Sequence, residues 1–318
     1  MPNRAFISLI LKVSGNVNAD AGVGTRIPLK KIITWNQEVR PFVSARCIRR
    51  CIRERLYEKG FSIDPLQMVG RQLGVEGQLG DIGDPLKYVD DDLFGFLKPS
   101  EPPLRRSSPI KISHLISLRH AEVKVEFAAR FARDFMTTYE KGYPVPFEIE
   151  LAEWLGKLNV IISDRVGRFS DDELSEDLKK QLGSQRELSK DERINRLRGF
   201  LEVLLWEGWS FPRGAQSPSI PEFYYAIIGL SARYVPIFSY IDLGDDGKLN
   251  VFLLENMQKI CEQLLDKLFI IDYKGGRCQA YTYVRKSEKD IEIKKEDLTL
   301  DSEIMKKIIS EICNFIIQ

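Results

Sequence analysis

The stretch FVSARCIRRCIRERLYEK, residues 42–59, constrains the fold more than any other, because as a helix it has two incompatible faces. At about 100° per residue, Arg46, Arg49, Arg50 and Arg53 fall within one arc, which Tyr57 continues. Cys47, Ile48, Cys51, Ile52 and Leu56 form the opposite stripe, interrupted near its end by Arg55. Ser44 stands where an N-cap is needed. Such a helix must lay its back on other structure and turn four guanidinium groups outward. Like charges three and four residues apart destabilise a helix by about 0.2–0.5 kcal/mol per pair, so the pattern has no benefit without an anion. A merely solvated basic face is the alternative reading. Residues 26–59 carry ten basic side chains against three acidic ones, whereas the whole chain nets only +1, so the positive charge is local. Planar, forked donors gathered in this way suit a phosphate backbone.

At 318 residues, 43% hydrophobic and 29% charged, the chain can bury one large core or two ordinary ones. Its first apolar run, residues 5–13, is broken by Ser8 and Lys12 and is too short for a bilayer, so it reads as a strand rather than a signal peptide. No other segment approaches membrane length, and a soluble cytoplasmic protein is expected. The five cysteines, Cys47, Cys51, Cys261, Cys278 and Cys313, are odd in number and form no CxxC. Neither structural zinc nor disulfides are therefore expected, and nothing calls for a cofactor. His114 and His120, the only histidines, sit in and just after a predicted strand, where packing or hydrogen bonding is their ordinary role.

Alternation predicts a first strand over 6–17 and a second over 27–35. The loop between them, NADAGVGTR over 18–26, has Gly22 and Gly24 but lacks the lysine of a P-loop. Residues 61–108 read as an irregular Gly- and Pro-rich insertion, with Asp90, Asp91 and Asp92 as a solvated loop or helix start rather than a metal site. PIKISHLISL over 109–118 is a strand. Residues 119–150 alternate at both ends and read as an extended hairpin; in its middle Arg130 and Arg133 interleave with Phe131, Phe135 and Met136. Such interleaving fits a strand-binding arm, and equally an ordinary core. A strand over 158–163 follows, then helices over 171–181 and 191–206, the second with Ser189 and Glu192 placed as a capping box. A loop over 211–221 holds Arg213; strands over 222–230 and 235–240 and helices over 250–267 and 301–317 complete the chain. This order matches the βαββαβ ferredoxin-like arrangement, an α+β fold with helices covering an antiparallel sheet. The aromatic signature of RNA-recognition sheets is absent, so RNA would be held through its backbone.

Four stretches, in order, carry a family resemblance: the opening strand into SGNVNADAGVGTR, then FVSARCIRR, then DDDLFGF with RRSSPIKIS, then PFEIELAEWLGKLNVIISDRVGRF. In these the chain resembles the DevR-type, RAMP-like backbone subunits of type I CRISPR surveillance complexes (Cascade), the seventh Cas protein family. The resemblance implies a non-catalytic protein with an RRM-like palm and a β-hairpin thumb. It divides the chain into palm and basic helix (1–60), insertion (61–108), palm strand (109–118), thumb (119–150) and the rest of the palm with C-terminal helices (151–318). It implies a helical filament of identical copies along one crRNA, each thumb interrupting the guide so that the bases between pair with a target DNA strand. Further implied partners are a large subunit, a cap subunit at the guide 5′ end and a guide-processing endonuclease, with no membrane. Ser44, Arg46, Arg49 and Arg50 match the family's phosphate-contacting positions, and helical geometry extends the set to Arg53. Gly15, Asn16, Asn18 and Arg26 fall in the loop after the first strand. Phe135 and Met136 are candidate wedges, and Arg119 and Arg213 complete the candidate RNA-binding set. The sequence departs from the pattern in using arginine where relatives often have lysine, and in the helix-like FAARFARDF of the thumb. Two other readings are a backbone ribonuclease of the type III kind, with Asp20 as its aspartate, and a free-standing single-stranded RNA binder.

Overall fold

The structure, a computed structural model, describes residues 2–17, 22, 24–69, 78–98, 103–130, 145–212, 218–287 and 290–318. The first strand, β1 (Arg4–Gly15), is buried on both faces: Ala5, Ile7, Leu9 and Leu11 point into one core, Phe6 and Ile10 into another. Side chains alternate across a strand, so a near-continuous apolar run is what a central strand between two packed layers requires. Two short strands, β2 (Arg26–Ile27) and β3 (Lys31–Ile33), replace the single one expected over 27–35. The first does not pair with β1. It runs parallel to a later strand, and β3 instead forms a hairpin with β4 (Val39–Val43).

The basic helix α1 (Ala45–Glu58) follows, with Ser44 extended at its N-cap and accepting from the Cys47 amide. Cys47, Ile48, Cys51, Ile52 and Leu56 are its buried residues, as the arc predicts. Full burial of Ile48, Ile52 and Leu56 contributes about 1.5–3 kcal/mol each, which outweighs the few tenths lost at each arginine pair. Arg55, which interrupts the stripe, stays at the rim and pairs with Glu58 and Glu207.

The insertion is more ordered than its composition implies. It holds two ribbons, β5 (Gln67–Val69) with β6 (Gln78–Gly80) and β7 (Phe96–Lys98) with β8 (Leu104–Arg106), and between them a short helix α2 (Val89–Phe94). Asp90, Asp91 and Asp92 begin that helix, but all three are buried, which overturns the solvated reading. Asp92, with no exposed surface, accepts from Arg106 Nη2 at 2.7 Å, Arg196 Nη1 at 3.1 Å and the Gly167 amide. Three buried partners compensate its charge, and arginines so distant in sequence were invisible to a local reading.

The strand expected over 109–118 is split by Ser113 and His114 into β9 (Ile110–Ile112) and β10 (Leu115–Ser117). The hairpin is formed by β11 (Lys124–Arg130) and the first part of β12 (Val145–Ser163), in register from Lys124 opposite Leu151 to Arg130 opposite Val145. Thus β12 is 19 residues long and runs on from the hairpin into the sheet beside β1. Helices α3 (Glu176–Leu182) and α4 (Lys190–Glu202) follow, the latter capped by Ser189. Then come β13 (Glu222–Ser231), α5 (Val251–Cys261), β14 (Lys267–Asp272), β15 (Arg277–Arg285), β16 (Ile291–Thr299) and α6 (Ser302–Ile316).

The main sheet runs β16-β15-β14-β13-β1-β12-β10-β4-β3, with β2, β9 and β11 also on β12. The α+β class with an antiparallel sheet and covering helices stands. Three expectations change. Residues 235–240 form a 3-10 turn (Ile237–Tyr240) instead of a strand, since Pro236 cannot donate to a ladder. The helix expected over 250–267 stops at Cys261, because KLFIID pairs with β13 as β14. Both β15 and β16, unforeseen, extend the sheet on that side.

Helices α1, α4 and α6 cover one face of the sheet. On the other, α5 and the segment around Ile237 and Leu243 cover β1, β13 and β14. The part of that second face carried by β12, β10 and β4 stays partly open, and it lies next to the start of α1.

Candidate nucleic-acid interface

The buried stripe fixes which side of α1 meets solvent, but the four arginines there are not equivalent. Arg46 is exposed, with no ion-pair partner among the described residues. Arg50 is exposed and shares Glu54 one turn on, at 3.0 Å. Arg49 is half-buried and its Nε has no hydrogen-bond partner. Burial, then the neighbouring Arg53 and Arg46, hold its pKa below the ordinary arginine value. A half-buried cation beside two like charges, with a donor left unmade, is an arrangement that an incoming anion would relieve. Arg53 is different. Its Nε donates to buried Asp90 Oδ2 at 2.8 Å and its guanidinium lies over the Phe94 ring, so it clamps the insertion to the helix. Of the four guanidinium groups expected to face outward, Arg53 is thereby engaged within the fold, because the acid that holds it arrives from another element.

Other candidates are also tied down. Gly15 ends β1 with φ of +90°, a value that favours glycine. Asn16 is only 2% exposed, and its amide donates to the Glu150 and Ile27 carbonyls, so it staples the chain instead of facing a ligand. Arg26 and Lys31 both pair with Glu150, itself buried. Burial would raise the Glu150 pKa, but hydrogen bonds from Lys31, the Leu29 amide and Arg26 outweigh it and hold it below the usual carboxylate range. Arg119 donates to Asp242 at 2.9 Å and to the Leu243 carbonyl, fastening β10 to the segment before α5. Ser44 is engaged as the N-cap. Asn18, Asp20, Phe135, Met136 and Arg213 lie outside the described residues.

Lys157 and Asn159, which the sequence did not single out, gather on the open sheet face with His114, expected there only to pack or hydrogen-bond. His114 Nδ1 accepts from the Ala45 amide at 2.8 Å, at the first residue of α1, and its ring packs on Phe42. Lys157 donates to the Phe238 and Ile241 carbonyls. Burial lowers its pKa, partly opposed by Asp242. Asn159 Oδ1 accepts from Ser8. The available signal was a lysine at an alternating position in an otherwise apolar strand, and a histidine between two strands. At the tip of the β3–β4 hairpin, Trp35 is 93% exposed on a turn closed by Thr34 and Glu38.

For metals, the carboxylates of Asp64, Asp81 and Asp91 approach within 4.8 Å of one another. Each already accepts from backbone: Asp64 from Leu66 and Ile82, Asp81 from Leu97, Asp91 from Asp84. Burial, then Asp64 and Asp90, push Asp91 up to about 8. A protonated acid within a knot of backbone bonds fits a structural role. The triplet Asp90, Asp91 and Asp92 does not converge, since each faces different partners.

The architecture has counterparts among solved structures. One chain, titled "CRISPR RNA-guided surveillance complex, pre-nicking", is 13% identical; the likeness covers 97% of this chain and all of that one, with a TM-score of 0.56. Another, titled "CRISPR RNA-guided surveillance complex", is 14% identical and covers 82% of this chain and 83% of that one, at a TM-score of 0.45. The first shows that the two chains share a fold. No curated protein matches the sequence. A family model described as "CRISPR-associated negative auto-regulator DevR/Csa2" matches residues 83–246, just over half of the chain. The protein belongs to this DevR/Csa2 family, in line with the resemblance drawn from its sequence. The matched residues begin after α1, so the reading of that helix rests on its own geometry. Among the described residues no helix is long and apolar enough to cross a membrane.

Proposed function

We propose that this protein is a non-catalytic, guide-RNA-binding backbone subunit of a type I CRISPR surveillance complex. Copies assemble along one crRNA in the cytoplasm and present its spacer to a target DNA strand, beside the large, cap and guide-processing subunits. Family membership and a fold shared with a chain of an RNA-guided surveillance complex support this reading. The observation that carries it is the outward face of α1, where Arg49 keeps a buried donor unmade between Arg46 and Arg53. Phosphates supply the missing acceptors, and Arg46 and Arg50 flank them as exposed forks. The contact is to backbone, so guides of any spacer sequence are held alike. The hairpin of β11 and β12 acts as the thumb.

The test is co-purification. Wild-type protein expressed with its guide locus should retain RNA that sequences as discrete repeat-spacer units. The Arg46→Ala, Arg49→Ala, Arg50→Ala triple variant should be folded and free of RNA. Unchanged retention by the variant would remove the proposal. Cleavage of complementary RNA by the wild type, lost on Asp20→Ala, would replace it with the ribonuclease reading.

A further inference from the structure

On the open face beside the start of α1 lies a cavity of about 350 Å³, bounded by β4, Ser113 and His114, β10, β12 and Asp242. Sheet register builds it. Lys157 sits between Ile10 and Ile116, Asn159 opposite Ser8, and Ile116 opposite Phe42, so these side chains share one face. The volume lies within the range of sites that hold small ligands.

Its polar groups are unbalanced. Lys157 uses two ammonium hydrogens on the Phe238 and Ile241 carbonyls and keeps a third. Asn159 accepts from Ser8 through Oδ1, and its side-chain Nδ2 has no partner among the described residues, while its backbone N–H donates to Ser113 Oγ. His114 accepts at Nδ1, which leaves Nε2–H as a donor. Arg40 engages Glu38 through Nε and Nη2 and keeps Nη1. Against these donors the one lining carboxylate, Asp242, is already taken by Arg119. Lys157 has lost hydration without gaining a bound acid of its own. Ile116 and the His114 ring, which itself packs on Phe42, add an apolar wall. Excess donors beside a flat apolar surface suit an acceptor-rich group with an attached ring.

We infer that this cavity takes one nucleotide of the single-stranded RNA held at α1, with a phosphate toward Lys157, Asn159 and Arg40 and the ribose or base against His114 and Ile116. His114 joins the two sites, since it binds the first amide of α1 and lines the cavity. RNA leaving Arg46 turns over the end of β4 onto the sheet, and the cavity holds it there. This inference rests on the reading of the chain as an RNA binder.

Asn159→Asp tests it. The variant keeps an acceptor for Ser8 and the size of the side chain, but replaces a donor by a negative charge. With a labelled oligouridylate and RNA-free protein, affinity should fall at least about tenfold, with an unchanged melting temperature. An oligomer carrying 4-thiouridine should photocrosslink to the peptide holding His114 and Ile116 in the wild type, and this crosslink should be lost in the variant. Unchanged affinity together with crosslinks confined to α1 would overturn the inference alone, provided that the α1 triple variant has lost binding. Failure of the wild type to bind the oligomer would overturn both readings.

Discussion

Removing Arg46, Arg49 and Arg50 together, while keeping Arg53, isolates the charge of α1 from its structural role. Arg53 must stay because Asp90, buried at its other end, would lose its cation. The three chosen groups make no ion pair with another element among the described residues; Arg50 alone is paired, with Glu54 on the same helix. For single-stranded RNA each neutralised phosphate adds about 0.7 to the slope of log affinity against log salt, so three lost contacts flatten it by about 2. Carried from 1 M down to 0.15 M salt, a slope difference of about 2 amounts to roughly 50-fold in affinity, or about 2.4 kcal/mol. Stability should barely change, since loss of the Arg50–Glu54 pair and relief of arginine repulsion are each worth only a few tenths of a kcal/mol. The assay is fluorescence anisotropy with an oligouridylate at several salt concentrations, beside a thermal melt. An unchanged slope at an unchanged melting temperature would refute the phosphate grip. A collapsed melting temperature would show instead that these arginines hold the fold.

Three other substitutions probe the fold around the site. Ile52 has no exposed surface on the back of α1, so Ile52→Asp should cost at least about 4 kcal/mol and yield insoluble or unfolded protein; a well-folded variant would mean the faces are reversed. Asp92→Ala should destabilise by about 3–5 kcal/mol in chemical denaturation by stranding Arg106 and Arg196, and a loss under 1 kcal/mol (about the value of an exposed pair) would contradict a buried hub. Asp91, 2% exposed and raised to about 8, binds its proton more tightly folded than unfolded. Its contribution is complete below about pH 4 and is lost as pH rises through about 8, with a slope approaching 1.4 kcal/mol per pH unit between them. Asp91→Asn, permanently neutral, should therefore gain on the wild type across that window in urea denaturation; parallel pH profiles would refute the assignment.

The sequence by itself determined what depends on neighbours a few residues away. The two faces of α1, the Ser44 cap, the doubly buried β1, the two ends of the β11–β12 hairpin and the terminal helix α6 all follow from periodicity and capping, which are local. It also located the positive charge. Only the tertiary structure decided which charges remain available. Arg53 is claimed by Asp90, 37 positions away; Arg26 by Glu150, 124 away; Arg119 by Asp242, 123 away. The same long-range pairing buries acids that composition would leave in water, and brings His114, Lys157 and Asn159 to one cavity across β10 and β12. A charge can be neutralised by any element that folds against it, and no spacing within a helix or strand records which element that will be.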